Sequence, residues 1–299
     1  MIKFIDDFLN RITMYRLVLY FLLILLAIAV IFSFLNILPF NPWFLLVSIV
    51  ILLAICFLVN LLFSKIFKAP VNNESFFITA LILALIITPP VSLTDVKYLV
   101  FIAWVAVWAM ASKYILAINK KHIFNPAAFA VALTALTISQ SASWWIGTAS
   151  MMPFVLLGGL LVTRKLKRFD LVFTFIGISL AITSIVHAQN LSQIPKMIEH
   201  AFLASPLLFF AFVMLTEPLT TPPTKDLRMV YAVFVGAIFD PIVHIGNIFS
   251  TPELSLLVGN VFSYIVSPKK KLILKLKEKE KVAKDTYNFS FISNKKEIG

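Results

Sequence analysis

The chain has 299 residues, of which 60% are hydrophobic and only 13% are charged. Soluble domains are about half apolar and roughly a quarter charged, so the composition excludes an ordinary soluble enzyme and also a disordered chain. The single cysteine, Cys56, excludes a fold built on disulfides. The net charge of +12 fits either nucleic-acid binding or a membrane protein with basic loops, and the positions of the charges distinguish these classes.

A membrane-spanning helix requires roughly 20 mostly apolar residues, because the hydrocarbon core of a bilayer is about 30 Å thick. The first residues alternate apolar and charged side chains and predict an interfacial amphipathic helix over 1–15. The chain that follows predicts an all-α polytopic membrane domain over 16–268 with ten spanning helices: 16–36, 43–64, 75–89, 97–117, 124–139, 144–163, 169–187, 198–216, 228–246 and 252–267. The third, fifth and tenth begin or end at proline, which is typical of broken helices that line a site.

The lysines and arginines predict the orientation of these helices. Fourteen lie in the N-terminal segment and in alternate loops on one side, two lie on the other side, and ten follow Pro268. Positive residues favour the cytoplasmic side, so we expect a multi-pass protein of the cell membrane with both termini in the cytoplasm. The lipid bilayer then accounts for the basic charge, and no nucleic-acid partner is expected.

Two proline-containing motifs recur with an offset of about half the predicted helices. Helix three ends in Ile-Thr-Pro-Pro (87–90) and helix eight in Leu-Thr-Glu-Pro-Leu-Thr-Thr-Pro-Pro-Thr (215–224). Helix five begins in His-Ile-Phe-Asn-Pro-Ala (122–127) and helix ten in Ser-Thr-Pro-Glu-Leu (250–254). A repeat of five helices must be inverted in the membrane, and inverted repeats commonly form a site at their interface. Alternatively, proline simply marks the helix ends.

Glu217 is the strongest candidate for a functional residue, because a carboxylate near bilayer depth is costly and usually functional. The predicted topology places its segment on the same side as Asn125. The predicted cofactor-binding residues, which could hold a flavin, a quinone carbonyl or a cation, are Asn125, Pro126, Thr216, Glu217, Thr220, Thr221 and Thr224. Two alternatives stay open: the Glu217 segment is a polar helix cap, and Asn125 caps helix five.

Asp240 and His244 are four residues apart and would share a helix face if helix nine continued through Pro241. They predict an ion or proton pathway, and the alternative is an ion pair at a loop. The sequence contains no metal-binding His-Glu-x-x-His, no Gly-rich phosphate loop and no Gly-x-Ser-x-Gly elbow. We therefore predict no metal site and assign no catalytic residue.

Four segments resemble the NqrB/RnfD family, which comprises membrane subunits of the sodium-pumping NADH:quinone reductase and of the Rnf ferredoxin:NAD complex. They are Phe77–Pro90, His122–Ala128, Gly158–Leu160 and Leu215–Thr224. The resemblance covers roughly predicted helices three to ten. It implies the fold of ten helices in two inverted five-helix repeats that is also found in urea transporters, and a role in membrane electron transport.

The cofactor attachment of this family is not reproduced in the sequence. Family members carry a covalent flavin mononucleotide on a threonine of a Ser-Gly-Ala-Thr type motif, in a long loop between the Asn-Pro helix and the Gly-Gly helix. Here that connection is the short Ser139–Ser143 segment, and nearby Thr148 does not align with the motif. We therefore expect no covalent flavin, but a non-covalent flavin (FMN or riboflavin) or a quinone.

The basic tail over 269–299 predicts a cytoplasmic segment. Within it, 279–291 alternates like a β-strand and resembles the first strand of a ferredoxin-NADP reductase-type domain, which some family members carry fused at this point. The resemblance implies FAD in a fused or partner reductase domain. The alternative is a disordered tail whose lysines bind anionic lipid.

These features together predict a membrane electron-transfer module of an oxidoreductase. Electrons would pass from an NAD(P)H-linked or ferredoxin-linked flavoprotein to a membrane-bound flavin, a quinone or another electron-transport subunit, with ion transport coupled to the transfer. The main alternative is a channel or transporter for a small solute or ion, because one fold supports different functions. A third interpretation is a scaffold that anchors a reductase.

Overall fold

A computed structural model describes residues 2–69, 73–118, 121–246, 248–267, 274–283 and 286–293. The chain divides into two compact units, Met1–Ile265 and Val266–Gly299. The first unit contains the helices and a continuous apolar core, which includes the fully buried Leu83, Leu85 and Phe210. The second unit contains a pair of β-strands in its described part.

Each of the ten predicted spanning segments contains a helix, although several helices are shorter than predicted. The helices are α1 (Ile2–Arg11), α2 (Met14–Phe34), α3 (Pro42–Ile66), α4 (Asn73–Ile86), α5 (Val96–Ile115), α6 (Pro126–Ile138), α7 (Met152–Leu166), α8 (Phe169–Val186), α9 (Ile194–Leu203), α10 (Leu207–Phe209), α11 (Lys225–Ala237) and α12 (Pro252–Val266). A π-helical turn, Phe210–Met214, extends α10, and a 3₁₀ turn, Ala188–Gln193, precedes α9.

The lengths and composition of these helices indicate a multi-pass membrane protein. Among the described residues, α2, α3, α5 and α8 are long and apolar enough to cross a membrane, and the bent pair of α9 and α10 makes a fifth candidate span. Helices α4, α6 and α12 are apolar but shorter. The number of ten spans and the inverted repeat therefore stay predictions.

Asparagine–proline pairs determine where two of the helices begin. Asn41 Oδ1 accepts a hydrogen bond from Trp43 N at 2.9 Å, and Asn125 Oδ1 accepts one from Ala128 N at 3.0 Å. Asparagine is a preferred N-cap residue, and the proline that follows lacks the N–H group that the first turn would leave unpaired. Helices α3 and α6 therefore start at their prolines.

The sixth predicted segment, 144–163, becomes helical only at Met152. The preceding residues form an irregular loop in which Trp144 and Trp145 are buried. Trp145 Nε1 donates to two carbonyl oxygens at the end of α4, both at 3.0 Å. The loop therefore satisfies backbone carbonyls that the short helix α4 leaves unpaired.

The eighth predicted segment, 198–216, is a broken helix. Its two parts are bent by 58°, and the second part ends in the π-helical turn, a distortion that often occurs at functional sites. Helix α7 packs closely on this turn, because a Cβ atom at Gly159 would overlap the Phe212 side chain. At the neighbouring Gly158, a Cβ atom would overlap the Phe21 ring of α2.

Four ion pairs connect the charged segments at one face of the first unit, which we call the charged face. The pairs are Arg16–Glu74, His122–Glu217, Arg164–Asp6 and Arg228–Asp170. The first and third pairs join the N-terminal segment to connections that the charge distribution assigned to one side of the membrane, and the other two pairs join such connections to one another. That this face is cytoplasmic stays a prediction.

Short hairpins precede two corresponding helices. Strands β1 (Ala117–Ile118) and β2 (Lys121–His122) pair before α6, and β3 (His244–Ile245) and β4 (Ile248–Phe249) pair before α12. Each hairpin therefore lies between a helix and a helix that begins at proline. This similarity favours the internal repeat but does not establish its inversion.

The second unit contains an antiparallel hairpin of β5 (Leu274–Ala283) and β6 (Thr286–Ser293). The single strand expected over 279–291 therefore spans parts of two strands, because alternation of side chains does not reveal a turn. Lys279 Nζ lies 4.4 Å from the centre of the Tyr287 ring. The basic residues at 269–271 lie outside the described residues.

Candidate functional site

Glu217 lies in a polar cluster on the charged face, just after the π-helical turn. Its Oε1 atom lies 3.0 Å from His122 Nε2, and its Oε2 atom accepts from Asn125 Nδ2 at 2.8 Å. Thr220 Oγ1 also donates to Oε2, at 3.3 Å. The side chains of His122 and Glu217 are 11% and 20% exposed. We call Glu217, His122, Asn125, Thr220 and Asn260 the Glu217 cluster. The carboxylate of this cluster lies at the boundary between the interior and the surface.

Asn125 connects three elements within this cluster. Its Oδ1 atom caps α6, while its Nδ2 group donates to Glu217. Its backbone N–H donates to Asn260 Oδ1 of α12 at 2.8 Å, and Asn260 Nδ2 donates to the Thr220 carbonyl at 3.4 Å. Asn125 therefore both caps its helix and contacts the carboxylate, and its role in cofactor binding stays a prediction.

The predicted threonines differ in their surroundings. Thr216 Oγ1 donates to a carbonyl oxygen one helical turn earlier, at 2.7 Å. Thr221 Oγ1 donates to the Glu217 carbonyl at 3.0 Å and accepts a hydrogen bond from Arg168. Thr224 is exposed at the beginning of α11. Thr216 and Thr221 thus hydrogen-bond to backbone carbonyls around Glu217, whereas Thr224 lies at the surface.

A small cavity, which we call the inner cavity, lies beside Glu217. Four predicted residues line it, namely Asn125, Pro126, Thr216 and Glu217. Lys113 also lines the cavity, and its Nζ atom donates to the Ser75 carbonyl at 2.8 Å. The volume is about 60 Å³, whereas pockets that hold drug-sized ligands measure roughly 300–1,000 Å³. In this geometry the inner cavity has room for water molecules but not for a flavin ring.

A second cluster, which is formed by Glu253 and Trp144 and which we call the Glu253 cluster, connects the proline motifs at 87–90 and 250–254. Glu253 is 4% exposed, and its Oε1 atom accepts from Trp144 Nε1 at 2.6 Å. Trp144 N donates to the Ile86 carbonyl at 2.8 Å. Thr88 and Ser143 are hydrogen-bonded through their hydroxyl groups. The loop before α7 therefore bridges the end of α4 and the beginning of α12.

A larger cavity, which we call the outer cavity, lies beside Trp144 among α8, α9 and the loop that follows α11. Its volume is about 680 Å³, within the range of ligand pockets. Trp144 and Phe239 contribute aromatic walls, and Asp240 contributes a carboxylate whose Oδ2 atom accepts from Thr183 Oγ1 at 3.1 Å. The outer cavity therefore combines planar apolar surfaces with a hydrogen-bond acceptor.

The shared helix face expected for Asp240 and His244 is not formed. Helix α11 ends at Ala237, before Pro241, because a proline in the helix would remove a hydrogen bond and clash with the preceding turn. Asp240 lines the outer cavity, while His244 lies in β3 with its Nδ1 atom 3.1 Å from a carbonyl oxygen. The continuous helix was wrong, and an ion or proton pathway through these residues stays a prediction.

Four residues of the two clusters were not among the predicted site residues: His122, Asn260, Trp144 and Glu253. For Glu253 and Asn260, a signal was present in the sequence but weak. Glu253 and Asn260 are seven residues apart on a largely apolar helix, a spacing that places them on one face. A buried polar residue requires a hydrogen-bonding partner, and here the partners come from α6 and from the loop before α7.

No group of three or more His, Cys, Asp or Glu side chains that could hold a metal ion occurs in the part of the chain that the structure describes. The arrangement can instead bind through hydrogen bonds at the outer cavity and hold or move a proton at the Glu217 cluster. We assign no catalytic residue to ligand binding at the outer cavity or to proton movement at the Glu217 cluster.

Comparison with known proteins gives one family. Residues 141–270 match the model of the NQR2, RnfD, RnfE family, and this range contains Glu217, Glu253 and Asp240 but begins after Asn125. No curated protein matches the chain. The motifs resembling this family at 77–90 and 122–128 lie before the matched range. Through residues 141–270, the chain is therefore similar to the NQR2, RnfD, RnfE family, which comprises membrane subunits of electron-transport complexes.

Proposed function

We propose that the protein transfers electrons within such a complex through a redox group that it binds without a covalent bond. The outer cavity carries this proposal, because its volume of about 680 Å³ and its aromatic walls fit a flavin ring or a quinone. The single cysteine cannot form a disulfide within the chain or supply the set of thiolates that an iron–sulfur cluster requires. The bound group would supply the electron-transfer chemistry.

The side chains of the outer cavity have roles that follow from their chemistry. Trp144 and Phe239 would pack against a planar ring, and Asp240 would accept a hydrogen bond from an N–H group of that ring. Lys196 also lines the cavity and would pair with the phosphate of a mononucleotide. A quinone would use the aromatic walls and the hydroxyl groups, but not Lys196.

The Glu217 cluster is suited to proton movement rather than to holding a ring in its present geometry. The side chains of His122 and Glu217 are partly exposed and in contact at 3.0 Å, and Glu217 also lines the inner cavity. A proton from the surface would bind at His122 Nδ1, while His122 Nε2 releases its proton to Glu217 Oε1, from which it would pass to water in the cavity. Asn125 and Thr220 would hold the carboxylate in position for this step.

The proposed membrane arrangement has ten spanning helices in two inverted repeats, with both termini in the cytoplasm. The corresponding hairpins before α6 and α12 support the repeat, and the ion pairs of the charged face support a common side for the basic segments. We further propose that a flavoprotein, either a partner subunit or a fused FAD domain, contacts the second unit. There, β6 exposes Tyr287, Phe289 and Phe291 on alternate positions.

The experiment is to purify the full chain from membranes and to measure its flavin and quinone content by absorbance and chromatography. We expect a stoichiometric, extractable flavin or quinone. The variant Ala201→Trp should lose most of it, because Ala201 lines the outer cavity. The control Thr79→Leu fills the inner cavity and should retain the cofactor.

A protein that contains neither flavin nor quinone, yet mediates flux of a small solute or ion into liposomes, would overturn the proposal. That result would instead support the channel or transporter. Equal cofactor content in Ala201→Trp and Thr79→Leu would contradict the assignment of the outer cavity as the binding site.

A further inference from the structure

A groove on the charged face, which we call the basic groove, lies between α1, the connection of α7 to α8, and the beginning of α11. Its volume is about 710 Å³. Its charged lining residues are Arg164, Lys165, Lys167, Lys225 and Arg228, together with Asp6 and Asp170. The basic residues therefore outnumber the acidic ones, although neither the proposed electron transfer nor the proton pathway uses this groove.

Some of these charges are already neutralised within the protein. Arg164 pairs with Asp6 at 2.8 Å, and Arg228 pairs with Asp170 at 3.3 Å. In contrast, Lys167 and Lys225 form no ion pair with any residue in the described ranges. The groove therefore has positive charge available for an anion.

Two buried atoms in the same groove lack hydrogen-bond partners among the described residues: Arg228 Nε and Asp170 Oδ1. Buried polar atoms are rarely left unpaired. A donor and an acceptor without partners in one groove favour a ligand that offers both an acceptor oxygen and a hydroxyl donor. The phosphate and hydroxyl groups of a polar headgroup provide this combination.

The beginnings of α8 and α11 add to the positive potential. Neither N-cap residue, Arg168 or Thr224, caps its helix through a side-chain hydrogen bond. Free N–H groups and the helix dipole favour an anion at such positions. Burial and then the positive charge of Arg228 lower the pKa of Arg168 to about 10.

The groove continues onto an apolar surface. Phe169 lines the groove and stacks on Phe173, with ring centres 5.8 Å apart. Phe173 is 58% exposed on α8, one of the helices long enough to cross a membrane. A charged recess beside exposed aromatic rings matches an amphiphilic ligand better than a soluble anion.

We propose that the basic groove binds the headgroup of an anionic phospholipid of the phosphatidylglycerol type, with an acyl chain along Phe169 and Phe173. The phosphate pairs with Lys167, Lys225 and Arg228 Nε, and a headgroup hydroxyl donates to Asp170 Oδ1. Basic recesses at the ends of membrane helices are suited to such headgroups.

The test is to delipidate the full chain in detergent and to titrate it with phosphatidylglycerol or phosphatidylcholine, counting bound lipids by native mass spectrometry. We expect one tightly bound phosphatidylglycerol and no comparable binding of phosphatidylcholine. The double variant Lys167→Gln/Lys225→Gln should bind phosphatidylglycerol about 30-fold more weakly, since one lysine near an anionic surface contributes roughly fivefold.

The matched control is Lys65→Gln/Lys68→Gln, which removes two exposed lysines from the end of α3 and should leave the affinity unchanged. Equal weakening by both double variants, or equal binding of the two lipids, would overturn the proposal. A third titration uses glycerol 3-phosphate. Binding as tight as that of phosphatidylglycerol would identify a free phosphate ester as the ligand and exclude the role of Phe169 and Phe173.

Discussion

The Glu217 and Glu253 clusters each hold one carboxylate in the helical unit, but they differ in their access to water. The Glu217 side chain is 20% exposed and is contacted by His122, Asn125 and Thr220. Glu253 is 4% exposed and accepts a short hydrogen bond from Trp144. Helix α12 connects the clusters, because Asn260 lies about two helical turns after Glu253.

This difference indicates a division of roles. A carboxylate with several donors near the surface can exchange a proton with little change in packing. A carboxylate buried with an indole N–H instead fixes the relative positions of two segments, since breaking a buried polar contact is costly. Glu217 is therefore suited to function, while Glu253 and Trp144 maintain the wall of the outer cavity.

The largest expected effect is at the Glu253 cluster. Trp144→Phe removes the indole N–H and leaves a buried carboxylate oxygen without that donor, so it should lower the free energy of unfolding by about 2–3 kcal/mol. Denaturant titration in detergent measures this value. The control is Trp104→Phe, whose Nε1 atom donates to Thr137 at 3.3 Å from an exposed ring. Equal effects of the two variants would contradict a structural role for the buried contact.

Gly159→Ala tests whether close packing holds the segment before Glu217. The added methyl group would overlap the Phe212 side chain, and overpacking typically costs about 1–3 kcal/mol. We expect a lower unfolding free energy and weaker cofactor retention. Gly177→Ala is the control, because no atom lies within 4 Å of the added position. The unfolding free energy of Gly177→Ala should be at least as high as that of the wild type. A loss of stability in Gly177→Ala as large as in Gly159→Ala would argue against the packing explanation.

Neutralising the two carboxylates should have different consequences. Glu217→Gln leaves one acceptor oxygen where the carboxylate provides two, one for His122 and one for Asn125. The substitution should therefore lower the free energy of unfolding by about 1 kcal/mol and slow proton-coupled reduction. Glu253→Gln retains an oxygen for Trp144 and removes the need to bury a charge. We expect unchanged or higher stability for Glu253→Gln. Thermal unfolding of the two variants, measured in parallel, tests this difference. A larger loss of stability in Glu253→Gln than in Glu217→Gln would show that Glu253, rather than Glu217, depends on its charge.

The smallest effect concerns an ion pair outside both clusters. The hydrogen bond from Arg164 lowers the pKa of Asp6 below its usual value. The folded state therefore favours the charged form of Asp6. The ion pair contributes to stability at pH values above the pKa of Asp6 in the unfolded chain, about 3.9. This contribution is lost as the pH falls through the lower pKa of Asp6 in the folded protein. Asp6→Asn should reduce the acid dependence of the unfolding midpoint, whereas Asp7→Asn should retain it.

Sequence patterns predicted the helical segments well because apolar length and helix caps are local properties. The Asn125–Pro126 and Asn41–Pro42 pairs identify helix starts within a few residues. Glu217 was recognisable because a carboxylate after a long apolar run is costly. In contrast, the late start of α7 and the early end of α11 were not predicted, since the loops there also contain large apolar residues, such as Trp144, Trp145 and Phe239.

The sequence by itself determined that this is a helical membrane protein and which segments are apolar, and it predicted Asn125 and Glu217 as site residues. These properties follow from hydrophobicity and local backbone chemistry. Only the tertiary structure decided that His122 and Asn260 complete the Glu217 cluster, that Trp144 contacts Glu253, and that the larger cavity lies beside Asp240. Such contacts join residues up to 135 positions apart, and the space between helices depends on how all of them pack.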